Sequence, residues 1–434
     1  MKNKKLAICI PTYERPEIIG EFLLEYMPDY LDFDLDIYVY DSGESCKTQG
    51  LVQSNEEYGI RLFYVKIPSN IHANMKVFTI FSDFGLNKEY EYVWVCSDAI
   101  QCKKKLLEEI FEVLNEGLAD ILILNRWTSM NRKITFYENA DRVLYDCALS
   151  TTYFGGVILK TDTTLSDFSK EFYEKEFGKP FLINFSHVCF YFHLLSKKPE
   201  LKCACLAVDH GDMEESALKI KNGWYDQKFE VMCTGWVDAI DSLPEIYSKK
   251  SRDKALKAFG NRVFGGDNLL CCRMENQYNR KTYLKYRDRL SRLVDYPDHV
   301  LRGMAFCPRF LLKKQIEIIC SKEISKLKKL QREGADIIIY GAGKFGKMLA
   351  QFLADNKVPY TGFCVTKKEN GMENVLDKPV YAVEDLKNNS RELSILLGAN
   401  SDNRIEMLEA LGNADLKEKV FPPYFCDCVL SLKH

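Results

Sequence analysis

From Lys5 to about Asp212, short apolar runs alternate with stretches whose apolar residues recur at helical spacing. Leu6-Ala7-Ile8-Cys9-Ile10 runs into Pro11-Thr12-Tyr13-Glu14-Arg15-Pro16 and gives way to a helical stretch, Glu17 to Tyr26. Leu35 to Tyr40 ends in Asp41-Ser42-Gly43, and Ile60 to Val65 reads as a third strand. A helix from about Asn74 to Phe84, a strand Tyr92 to Cys96, a helix Lys103 to Asn115 and a strand Asp120 to Leu124 follow. Wholly apolar runs mark strands covered on both faces. Strands separated by helical segments predict a mostly parallel sheet. Such a sheet presents polar loops at its carboxyl edge, where open α/β folds take ligands.

From roughly Tyr225 to Glu333 strand runs vanish, and charged and aromatic residues recur at helical spacing. The last part carries an apolar stripe of Ile316, Ile319, Cys320, Ile324, Leu327 and Leu330 between lysines. It predicts either a helix packed on a domain or a basic amphipathic helix on an anionic membrane. A new α/β pattern starts at Gly334: the strand Ala335 to Tyr340, then Gly341-Ala342-Gly343-Lys344-Phe345-Gly346 and a helix Lys347 to Asn356. Strand candidates follow at Tyr360 to Val365, Val380-Tyr381 and Ser394 to Gly398. The expected organisation is an α/β domain over 1–230, a helical connector over 231–333 and a small Rossmann-like α/β module over 334–434.

Composition narrows the function class. The length of 434 residues allows several domains, each with its own core. A formal net charge of −2 speaks against a nucleic-acid binder. No run has the length of a membrane span, and Met1 to Lys5 leads into a strand rather than an export signal, so a cytoplasmic location is expected. The 16 cysteines are scattered without a C-x-x-C pair or zinc spacing, which predicts reduced, buried thiols.

Two strands ending in Pro11-Thr12-Tyr13-Glu14-Arg15 and Asp41-Ser42-Gly43 resemble the nucleotide-binding start of family 2 glycosyltransferases with the GT-A fold. The resemblance covers about half the chain. It implies a nucleotide-sugar donor, with a UDP-sugar the expected one, and an inverting transfer to a cell-surface glycan or lipid-linked acceptor of polysaccharide biosynthesis. It also implies that Pro11, Thr12, Tyr13, Arg15 and Asp41 hold the nucleoside. Taken alone, Asp41 reads as a helix cap or turn aspartate before Ser42-Gly43; beside Pro11-Thr12-Tyr13-Glu14-Arg15 that reading is outweighed.

Ser69 to Lys76 resembles the loop and helix start beside the donor in that family. Asn74 and Lys76 are candidates there, Lys76 for a phosphate; alternatively Asn74 is an N-cap and Lys76 a solvated first-turn residue. Ser97 and Asp98 follow an aromatic-rich strand where the family has an Asp-x-Asp for Mn²⁺ or Mg²⁺; Ile100 stands at the second aspartate. His210 sits where the resemblance implies a further metal or diphosphate contact, with Asp209 in reserve. Gly155 and Gly156 resemble the acceptor-side loop. No acid heads the next helix, Phe185 to His193, so His187 is the base available by position; a core histidine is the plainer reading.

Gly341, Gly343 and Gly346 fit G-x-G-x-x-G between strand and helix, the setting of a dinucleotide fingerprint. The next strand runs into Thr366-Lys367-Lys368 without a ribose-binding acid, so a structural, oligomerising or regulatory role competes with nucleotide binding. Self-association and peripheral contact with the inner membrane face stay open. Two further functions stand beside the transferase: a nucleotide-dependent oxidoreductase or epimerase run by this module, and a scaffold built on a degenerate transferase fold.

Overall fold

The computed structural model describes residues 4–86, 89–127, 133–209, 211–216, 218, 225–265, 268–366, 368, 373–388, 392–399 and 401–432. Contacts divide the chain into two units, Met1–Ala258 and Phe259–His434. The division falls at neither 230 nor 333: helical segments up to Asp241 pack with the first sheet's unit, and the helices from Asn268 to Arg332 with the second.

In the first unit the strands are β1 (Lys4–Thr12), β2 (Leu35–Asp41), β3 (Leu62–Lys66), β4 (Tyr90–Val95), β5 (Ile100–Cys102), β6 (Ile121–Asn125), β7 (Ile134–Tyr137), β8 (Val157–Lys160), β9 (Cys203–Ala207) and β10 (Met213–Glu215). Eight form one sheet, ordered β3-β2-β1-β4-β8-β6-β9-β7. β1 pairs in parallel with β2 and β4, while β8 runs antiparallel to both β4 and β6. β4 and β6 therefore point the same way, and the turn entering β8 comes up between their carboxyl ends. β5 and β10 make a separate antiparallel ribbon, with Glu215 opposite Ile100.

The apolar runs become central strands because both faces are covered. Leu6, Ile8 and Ile10 of β1 share a cluster with Ile19, Phe22 and Leu23 of the helix Pro16–Glu25. Each such buried side chain contributes about 1.5–3 kcal/mol, so the strand that delivers the first loop is firmly anchored. Pro11 does not end it: pairing to β4 stops at Cys9↔Val95, so the residue lacking an N–H costs no ladder bond there, and β1 runs on to Thr12 along β2.

The second unit holds β11 (Asp336–Tyr340), β12 (Gly362–Val365), β13 (Asn374–Val375), β14 (Lys378–Ala382) and β15 (Leu393–Leu397) in the order β13-β14-β12-β11-β15. All but β13 are parallel. The helix Arg309–Arg332 lays Ile316, Cys320, Ile324 and Leu327 against this sheet's core, the packing reading of the apolar stripe, and leaves Ile319 37% exposed. All sixteen cysteines are free thiols. Among the described residues no helix is long and apolar enough to cross a membrane.

Candidate active site

Loops leaving β1, β2 and β4 meet at the carboxyl edge. After β4 the Ser97 hydroxyl accepts the Ala99 N–H at 3.2 Å, closing a turn that holds Asp98 at 6% exposure. A buried carboxylate needs partners. Asp98 takes the Thr12 hydroxyl at 2.9 Å on one oxygen and Arg15 Nη1 at 3.1 Å on the other. The Lys76 ammonium, on a residue only 4% exposed, donates to the Thr12 carbonyl at 3.0 Å and lies 5.6 Å from the ring centre of Tyr13. Burial pushes the Lys76 ammonium below its ordinary pKa, against the pull of Asp98 and Asp41.

Asp41 is also enclosed, and its geometry is that of the turn aspartate. One oxygen accepts the Gly43 N–H at 2.7 Å, the expected turn; the other accepts the Tyr64 hydroxyl at 3.0 Å. Burial and this carboxylate push the Tyr64 phenol up to about 12. The Lys66 ammonium donates to the Gly43 carbonyl, and beside it lies a cleft of ≈ 480 Å³ lined by Gly43, Glu44, Lys66, Ile67, Pro68 and Ser69. Glu14, held at φ 50°, reaches across from the first loop to accept the Glu44 N–H, the Ser45 N–H at 2.8 Å and the Ser45 hydroxyl at 2.7 Å. These bonds hold its carboxyl below the usual range. The sequence motif contained Glu14, but its role as a clasp between two loops depends on a partner thirty positions away.

The helix Ala73–Leu86 begins before Asn74, and His72 Nδ1 accepts the Asn74 N–H at 3.3 Å, so the capping role falls to His72.

On the far side of β4, the Gly155 N–H donates to the Val95 carbonyl at 2.7 Å and the Gly155 carbonyl accepts Trp94 Nε1 at 3.0 Å. Gly155 has φ +103°, and a Cβ on Gly156 would stand 2.1 Å from the Ser150 carbonyl oxygen, so this turn requires both glycines. Arg126, just past β6, was not singled out from sequence. Its guanidinium lies 4.4 Å from the Trp127 ring centre and 5.5 Å from that of Tyr153, with Glu215 at 3.9 Å. Arg126 Nη1 is buried without a hydrogen-bond partner among the described residues.

His187 sits inside the protein at 2% exposure, its ring 5.0 Å from that of Phe154 and 6.1 Å from that of Tyr191. Burial lowers its pKa to about 4, although the backbone of Thr152 and Thr151 favours the protonated ring. Enclosed among Phe154 and Tyr191, His187 has the placement of the core histidine, the plainer of its two readings.

The carboxylates present do not fit a hard divalent cation. Ile100 supplies no oxygen, Asp98 is committed to Thr12 and Arg15, and Asp209 is paired with Lys105 at 2.7 Å and Lys133 at 3.3 Å. No group of three His, Cys, Asp or Glu able to hold a metal occurs among the described residues. His210 lies outside the described residues.

In the second unit Gly341 turns at φ +105°, a Cβ on Gly346 would meet the Gly341 carbonyl oxygen at 1.8 Å, and Gly343 faces open space. The helix Lys344–Asp355 starts directly after Gly343, so strand, glycine turn and helix follow one another as the sequence predicts. Thr366, at the end of β12, shares a 2.8 Å hydrogen bond with the Tyr340 hydroxyl.

No family model matches the chain, and no curated protein matches it. Among solved structures, S. aureus TarS 1-349 is similar at a TM-score of 0.43 and 14% identity, over 69% of this chain and 88% of that one. The Pyrobaculum calidifontis mannosyltransferase PcManGT, in complex with GDP-Man and Mn²⁺, aligns at 0.37 and 12%, over 67% and 86%. Glucosyl-3-phosphoglycerate synthase from Mycobacterium tuberculosis aligns at 0.36 and 8%, over 56% and 81%.

Proposed function

We propose that the first unit is a GT-A-type, inverting glycosyltransferase acting on a nucleotide-sugar, with a UDP-sugar as donor and a surface glycan or lipid-linked sugar as acceptor. The observation that carries this reading is the convergence of Asp41, Asp98, Lys76, Thr12 and Arg15 at one sheet edge, beside a cleft shaped by the Gly43 and Lys66 loops. Asp41 and the cleft suit the base and ribose, whose N–H and O–H donors need a fixed acceptor. Lys76 and Arg15 suit the diphosphate. Gly155 and Gly156 let the backbone approach an acceptor sugar closely. In the transfer, the acceptor oxygen bonds to the anomeric carbon as the bond to the diphosphate oxygen breaks. The bonding pair leaves with the nucleoside diphosphate, and the hydroxyl proton passes to solvent. The Gly341 loop is proposed as an anion-binding turn of a separate module.

A panel of nucleotide-sugars tests the reading by thermal shift and by release of free nucleotide. A raised melting point with slow nucleotide release is expected for one donor class. A flat response across the whole panel would overturn it. The second reading, a nucleotide-sugar binder without turnover, draws on Ile100 and on the enclosure of His187; binding with no release in the presence of varied acceptors selects it.

A further inference from the structure

The charges around the donor edge are arranged in an unusual way for a metal-assisted site. Among the described residues, three candidate oxygen ligands already face basic side chains: Asp98 faces Arg15 at 3.1 Å, Glu215 faces Arg126 at 3.9 Å, and Asp209 faces Lys105 and Lys133, while Asp41 accepts the Gly43 N–H and the Tyr64 hydroxyl. Glu215 lies directly across the ribbon from Ile100, so even the carboxylate nearest the missing ligand is opposed by a guanidinium. A hard cation entering here would have to displace these partners and sit against their charge.

Lys76 points to what replaces it. Its ammonium carries three protons and makes one hydrogen bond among the described residues, to the neutral Thr12 carbonyl, although the residue is 96% enclosed and burying an underused cation is costly. Arg15, half-exposed, leaves part of its five-donor fork free after binding Asp98. Asp41 and Asp98 offset these two cations, and Lys76 and Arg15 keep donors that no described residue uses. That is the preference of an anion site, not of a cation site.

We infer that this protein binds the diphosphate of its nucleotide through Lys76 and Arg15 without a divalent ion. The inference rests on the reading above, and it assigns the charge of the departing nucleoside diphosphate to these side chains.

Calorimetry with UDP and with GDP, in EDTA and again with Mn²⁺, separates the two levels of the argument. The expected result is binding in EDTA whose affinity changes by less than about twofold on adding Mn²⁺. Binding seen only with Mn²⁺ would overturn the inference and leave the transferase reading intact. No binding of either nucleotide in either buffer would overturn the transferase reading itself. Lys76→Met should weaken binding in EDTA by about tenfold or more. Because Lys76 is buried, the more exposed Arg15→Gln provides the companion test. It should weaken binding in EDTA and, by freeing Asp98, make affinity respond to Mn²⁺; an Arg15→Gln protein that binds like the parent would refute the assignment.

Discussion

Thr12 joins Asp98 and Lys76 through its two oxygens: its hydroxyl donates to the Asp98 carboxylate at 2.9 Å while its carbonyl accepts the Lys76 ammonium at 3.0 Å. One residue at the end of β1 thereby positions the anion and the cation of the donor edge. Thr12→Val keeps the shape and removes the hydroxyl. It should cost about 1.5–3 kcal/mol in urea unfolding, since the bond is made to a charged and buried group. Nucleotide affinity should fall with it, read by calorimetry.

Asp41, the proposed acceptor for a nucleoside, also accepts the Tyr64 hydroxyl at 3.0 Å. Asp41→Ala should lower nucleotide affinity by about tenfold or more and, by leaving the Gly43 N–H and the Tyr64 hydroxyl unpaired, cost about 1–3 kcal/mol of stability in a protein that still folds. Tyr64→Phe should show a smaller loss of the same kind. Unchanged affinity in Asp41→Ala would remove the nucleoside from this position.

Gly156 tolerates no side chain, because its Cβ would lie 2.1 Å from the Ser150 carbonyl oxygen. Gly156→Ala should destabilise the first unit by about 1–3 kcal/mol through forced backbone movement. Any surviving transfer should show a raised KM for acceptor with donor affinity nearly preserved.

His187 predicts an acid-labile fold. Its pKa is lowered from the ordinary 6.5 to about 4, so the unfolded chain takes up a proton that the native ring refuses. The contribution is complete above pH 6.5 and is lost as pH falls towards 4, amounting to roughly 3 kcal/mol at most. Melting curves across that window should fall more steeply for the parent than for His187→Gln.

Much of the donor edge was legible because its signals are local. The apolar runs of β1, β2 and β4 and the polar residues that end them, Thr12, Asp41 and Asp98, stand together in sequence, and burial on both faces follows from composition alone. Pairing β8 between β4 and β6 was not legible, since the order of strands is set by which faces remain to be covered. The three-residue strands β5 and β10 are too short for periodicity to register. Arg126 is one arginine among many until Trp127 and Tyr153 close around it. For His187 two readings stood open for a related reason: position along a helix does not reveal which way the helix turns, and here the ring faces Phe154 and Tyr191 inside the protein. His72, not Asn74, caps the following helix, a swap of two positions that propensity alone does not resolve.

The Gly155 turn is stitched to Trp94 and Val95 through both its amide and its carbonyl, and Asp98 hangs from the end of that same strand. Moving the Gly155 turn therefore pulls on the end of β4 that leads to Asp98. Under the proposed transferase reading, a variant selected for a bulkier acceptor through changes in this turn should bind its donor less well, and restoring both should require a compensating change in β4 itself.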